Sequence, residues 1–125
     1  MKRLNLLFFF VLTLLNVHAQ GWPSKYQGVM LQGFYWDSYG DTQWSNLSNQ
    51  ANELSKYFST IWVPQSGYCN TTSNQMGYAP VWWFNHTSAF GSENDLRSMI
   101  KTFKEKNVDI IEDVVINHRN GNTNW

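Results

Sequence analysis

The chain has 125 residues, with 9 Lys and Arg against 9 Asp and Glu, one Cys and seven Trp. The charge balance excludes the basic stripe of a nucleic-acid binder, and the lone Cys69 excludes an intrachain disulfide. At this length the chain holds at most one domain with a modest core.

Lys2 and Arg3 form a basic start, and Leu6 to Leu15 is an apolar run broken only by Thr13. Val17-His18-Ala19 then supplies the modest side chains that a signal peptidase reads. The pattern predicts a secretory signal peptide over residues 1–19, too short for a membrane span. Cleavage after Ala19 would leave 106 of the 125 residues, with 7 basic and 9 acidic side chains. The expected location is secreted, extracellular or periplasmic, with no nucleic acid and, after signal cleavage, no membrane as partner. All seven Trp lie outside the signal. That density suits either flat rings stacked on sugars or an aromatic-rich core, and composition does not choose between them.

Residues 28–36 (GVMLQGFYW) are rich in β-formers and predict a first strand. Residues 37–41 carry turn chemistry. Trp44, Leu47, Ala51, Leu54 and Phe58 follow at steps of three and four, one apolar stripe of a helix. Residues 60–64 (TIWVP) predict a short buried strand stopped by Pro64. Residues 65–91 show no clear periodicity and mix turn formers with aromatics. They read as a long functional loop. Ser92 and Asp95 have capping-box spacing, and Leu96, Met99, Ile100 and Phe103 continue a second helix to about Asn107. Residues 108–116 (VDIIEDVVI) predict a third strand, apolar enough to be buried on both sides.

The order β-α-β-α-β predicts an α/β fold with a parallel sheet and right-handed crossovers. No G-x-G-x-x-G follows the first strand, so a dinucleotide site loses support. In a doubly wound sheet or a (β/α)8 barrel, ligands meet the C-terminal ends of the strands. Those ends are Tyr35-Trp36-Asp37, Pro64-Gln65 and Asn117-His118-Arg119.

Strand alternation would put Asp113, Val115 and Asn117 on one face and Val114, Ile116 and His118 on the other. Asn117 offers a hard carbonyl oxygen of the kind calcium takes, and His118 can donate to a hydroxyl or carboxylate. Loop capping just past the strand would use the same two residues equally well. Asp113 reads as a buried structural hydrogen-bonder rather than a catalyst.

The segment DVVINHR, Asp113 to Arg119, resembles the first signature region of the α-amylase family, glycoside hydrolase family 13, in its plant-type form. MLQGFYWD resembles that family's first barrel strand and IWVPQ its second. Gly77-Tyr78-Ala79-Pro80 resembles its Gly-Tyr-x-Pro loop, and Phe90 to Leu96 the opening of its second helix. The resemblance implies the first three strands of a (β/α)8 TIM-type barrel, incomplete, over residues 20–125. It implies that Tyr78 stacks on the sugar next to the scissile bond and that His118 hydrogen-bonds the same sugar. By the same resemblance Asn117 ligates a structural calcium and Asp113 holds the local architecture. Ala79 stands where the family often has Asp, and Asn85 lies near another such position. The loop from Val81 to Phe90 aligns loosely, which leaves Trp82, Trp83 and His86 without a role.

The implied activity is retaining hydrolysis of α-1,4-glucosidic bonds in starch or malto-oligosaccharides, with one carboxylate as nucleophile and a second as acid and base. In the family the catalytic acids follow the third strand, and no acidic residue here matches one. The chain therefore reads as the N-terminal part of a secreted α-amylase, truncated or partial. On its own it is expected to be inactive and to fold poorly or associate. An exo-acting oligosaccharide hydrolase, a transglycosylase or a non-catalytic starch-binding homologue would share these motifs.

Overall fold

The computed structural model describes residues 25–69 and 76–120. The signal-peptide segment lies outside the described residues. In chain order the elements are β1 (Met30–Gln32), a 3-10 turn (Ser38–Gly40), α1 (Trp44–Leu54) and β2 (Thr60–Val63). Then come β3 (Tyr68–Cys69), β4 (Pro80–Trp82), α2 (Glu93–Lys104) and β5 (Asp109–Glu112).

The sheet is parallel, in the order β1-β2-β5. Met30 pairs with Thr60, and Ile61 pairs with Leu31 on one side and Ile110 on the other. β2 is thus the central strand and the most buried of the three, with Thr60, Ile61 and Val63 all inside. The β-α-β-α-β order expected from the sequence is present, with α1 and α2 packed against each other.

α1 buries Trp44, Leu47 and Ala51 as its stripe requires, but it stops at Leu54, so Phe58 falls beyond it. The reason is connectivity. Tyr57 N and Phe58 N both turn back onto Leu54 O, and Ser59 N is already donating to Val29 O beside β1. α2 opens on a complete capping box: Asp95 N donates to Ser92 Oγ, and Ser92 N donates to Asp95 Oδ2. Those bonds from the Ser92 side chain and backbone hold the Asp95 carboxyl below its usual range. Leu96, Met99 and Phe103 face inward from α2.

The core lies between the helices and the sheet. Trp44 and Phe90, both fully buried, meet with ring centroids 5.3 Å apart, and Trp44 N donates to Phe90 O at the start of α1. Ile61, Val63, Met99, Phe103 and Val108 belong to the same buried cluster, with Phe34, Leu47, Ala51, Met76 and Leu96.

Three expectations change. The first strand is shorter than residues 28–36, because Tyr35 N turns to Ser38 Oγ and Ser38 N donates to Tyr35 O, bending the chain out of the sheet. The long loop contains an antiparallel pair: β3 and β4 match Tyr68 with Trp82 and Cys69 with Pro80. The third strand is neither as long as residues 108–116 nor buried on both sides. β5 pairs only with β2 among the described residues, its positions are at most half-buried, and Val114 and Ile116 are 54% and 80% exposed. Its apolar run is that of an interior strand, and among the described residues it has a neighbour on one side only.

Candidate functional site

The chain leaves β2 through Pro64, Gln65 and Ser66, all buried. Ser66 N donates to Glu112 Oε1 at 2.7 Å, joining the ends of β2 and β5. Ser66 Oγ and His86 Nδ1 are 2.7 Å apart, which pulls the segment after β4 onto the same place. Gly77 packs directly on Gln65. Its φ is +95°, and a Cβ there would lie 2.7 Å from Gln65 Cβ. Both the backbone conformation and the space require glycine. This contact delivers Tyr78 to the ends of the strands.

Tyr78 is held at both ends by residues that follow β5. Its hydroxyl donates to Asp113 Oδ2 at 2.9 Å. Its carbonyl oxygen lies 2.7 Å from His118 Nε2. A carbonyl only accepts, so Nε2 carries the proton. Burial, then the hydrogen bond and charge of Asp113, push the Tyr78 phenol up to about 12. Trp36, 69% exposed, lies nearly parallel to the Tyr78 ring, with centroids 6.0 Å apart and planes 10° from parallel.

Three of the four residues singled out in the sequence therefore meet: Tyr78, Asp113 and His118. Simple alternation would send Asp113 and His118 to opposite faces, but the strand ends at Glu112, and beyond it both turn toward Tyr78. Asn117 sits at the margin. It is exposed, and its Nδ2 lies 3.4 Å from His118 Nδ1. The Asn117 carbonyl oxygen could take a hard cation. Calcium needs roughly six to eight oxygens, and among the described residues no group of three or more His, Cys, Asp or Glu could hold a metal.

Sequence reasoning missed Trp36, Ser66, His86 and Glu112. Trp36 stands in a strand end already expected to meet ligand, which was its one signal. The Ser66–His86 and Ser66–Glu112 contacts join distant segments and carry no local pattern. Chemically the cluster is suited to binding. It offers aromatic rings, an imidazole and an amide, while Glu112 and Asp113 are each engaged in a hydrogen bond.

No family model matches the chain. It is 33% identical to "Probable alpha-amylase 2" of Arabidopsis thaliana over 96 residues, 76% of this chain and 22% of that protein. It is 27% identical to the α-amylase of Bacillus licheniformis over 127 aligned positions, 93% of this chain and 25% of that protein. Among solved structures it resembles a mutant of α-amylase I from Eisenia fetida in complex with maltohexaose. That match has a TM-score of 0.64 and 23% identity, and covers 75% of this chain and 19% of the other. The chain thus spans about a quarter or less of the length of these relatives. The relatives are plant and bacterial α-amylases, and the fold is that of part of a (β/α)8 barrel, its parallel strands β1, β2 and β5 forming an incomplete set.

Proposed function

We propose that this chain, a relative of the α-amylases, is the N-terminal, substrate-side portion of a secreted α-amylase-type glycoside hydrolase. Residues 1–19 act as the signal peptide, and residues 20–125 supply the first three strands of the barrel. The substrate is starch or a malto-oligosaccharide, as the maltohexaose bound to the Eisenia fetida relative suggests.

The observation that carries this reading is the fixed Tyr78 ring. A ring that stacks on a sugar must not swing away when the sugar arrives. Asp113 holds its hydroxyl and His118 its backbone, at the strand ends where barrel enzymes bind ligand. Tyr78 packs on the sugar beside the bond to be broken, and His118, whose Nε2 proton goes to Tyr78 O, accepts a hydrogen bond from that sugar at Nδ1. Asp113 positions Tyr78 and does not react.

Cleavage with retention needs two further carboxyl groups about 5–5.5 Å apart, one to attack and one to protonate the leaving oxygen. No acidic residue of this chain matches a catalytic position of the family it resembles, so in this reading both catalytic acids come from elsewhere in the whole protein; Glu112 and Asp113 serve Ser66 N and Tyr78 OH. Calcium belongs to that whole protein too, with Asn117 contributing one of its oxygens.

Two measurements on the full-length protein test this. Soluble starch should yield reducing sugar of α configuration, and the secreted protein should begin at Gln20. Absence of turnover on every α-1,4-glucan, with folded protein in hand, would overturn the hydrolase reading in favour of a non-catalytic starch-binding relative.

A further inference from the structure

Ser66 is wholly buried, and its two polar ends reach different segments. Its N–H donates to Glu112 Oε1 at 2.7 Å, and its Oγ lies 2.7 Å from His86 Nδ1. Among the described residues, His86 is the one hydrogen-bond partner of that hydroxyl. A buried hydroxyl has a proton to give, and leaving it unplaced is costly. The pairing that places it is Ser66 Oγ–H to Nδ1, with the ring proton of His86 on Nε2. The turn that carries the imidazole is held as well. Tyr68 N donates to Asn85 O at 2.7 Å, and Thr87 N to Asn85 Oδ1 at 3.1 Å. Both ends of the Ser66–His86 contact belong to this chain, and Ser66 has no surface left for any further segment to cover.

Ser66 stands one residue from each support of the Tyr78 ring. Before it comes Gln65, on which Gly77 packs just ahead of Tyr78. Its backbone partner is Glu112, and the next residue, Asp113, accepts from the Tyr78 hydroxyl. We propose that His86 is a positioning residue for the Tyr78 platform, acting through the Ser66 hydroxyl rather than on the sugar. The inference rests on the reading of Tyr78 as a sugar platform given above. Without an acceptor at the place of Nδ1, the Ser66 proton is stranded in a closed space. The turn after β2 then shifts to satisfy it. Gln65 and Glu112 move with that turn, and the ring that meets the sugar loosens. A space-filling role for His86 would need only the volume of its ring, whereas this role needs the acceptor.

The test separates kcat from KM in the full-length protein acting on maltoheptaose. The variants are His86→Phe, which keeps a ring and drops the acceptor, and His86→Asn, whose amide oxygen can stand near the place of Nδ1. Loss of folded protein lowers kcat and leaves KM alone, while a loosened platform raises KM. His86→Phe should raise KM about three- to tenfold, the scale of one buried hydroxyl left without its partner. His86→Asn should recover most of that loss. In a Tyr78→Ala background, His86→Phe should change KM by less than about twofold, because the two act through one ring. An unchanged KM in His86→Phe, a His86→Asn no better than His86→Phe, or a full effect persisting without the Tyr78 ring would each overturn the assignment while leaving the hydrolase reading standing. A wild type inactive on every α-glucan would overturn both.

Discussion

Tyr78 and Asp113 are 35 positions apart in the chain, yet the phenol of the first donates to the carboxylate of the second at 2.9 Å. This one bond links the loop after β3 to the segment after β5, and it makes the ionisation of Tyr78 a reporter of the site. Burial and Asp113 raise its pKa from 10.0 to about 12. A group whose pKa is raised on folding stabilises the fold fully below its unfolded pKa and loses that contribution as pH rises through the folded value. The contribution is therefore complete below pH 10 and lost between about 10 and 12. Ultraviolet titration of phenolate formation should show Tyr78 ionising late, near 12, with Tyr35 also shifted upward by its hydrogen bond to Asp41. Asp113→Asn should lower the Tyr78 pKa only part of the way, because burial, the larger cause of the shift, remains. A titration curve unchanged by the substitution would contradict the assignment.

Gly77→Ala should destabilise the protein more than a surface substitution. The added Cβ meets Gln65 at 2.7 Å, and the φ of +95° is strained for alanine. The expected cost is about 1–3 kcal/mol, read as a lower midpoint in chemical denaturation. An unchanged midpoint would mean that the backbone relaxes and that Tyr78 is not placed by this contact.

Phe90→Ala removes a fully buried ring that packs on Trp44. A loss of about 3–5 kcal/mol is expected, close to the whole stability of a small domain. A folded variant with a loss below about 1 kcal/mol would mean that this contact is not part of the core.

Calcium binding should belong to the whole protein. Calorimetric titration of the full-length protein should find a tight site that Asn117→Ala weakens by about tenfold or more, as expected for removing one oxygen ligand. The same titration of the 125-residue chain should find none. An unaffected site in Asn117→Ala would remove Asn117 from the ligand set.

What the sequence conveys depends on how local the determining contacts are. α2 can be read in full, because its Ser92–Asp95 cap and its 3.6-residue stripe are both short-range signals. The start of α1 and the whole of β2 are read for the same reason. The hairpin is not, because β3 and β4 have two and three residues and close through distant contacts such as Tyr68 N to Asn85 O. At the site, DVVINHR and the Gly77-Tyr78 loop point to Tyr78, Asp113 and His118 individually. Their meeting, and the stacking of Trp36 on Tyr78, depend on how β1, β2 and β5 line up, which no local pattern encodes.

The central claim is that Tyr78 is a sugar platform held in place by Asp113 and His118. The most direct test is kcat/KM of the full-length protein on maltoheptaose for wild type, Tyr78→Phe and Tyr78→Ala. The account predicts a loss of about tenfold or more for Tyr78→Ala. Tyr78→Phe, which keeps the ring and drops only the bond to Asp113, should lose less. Equal activity in Tyr78→Ala and wild type would contradict it.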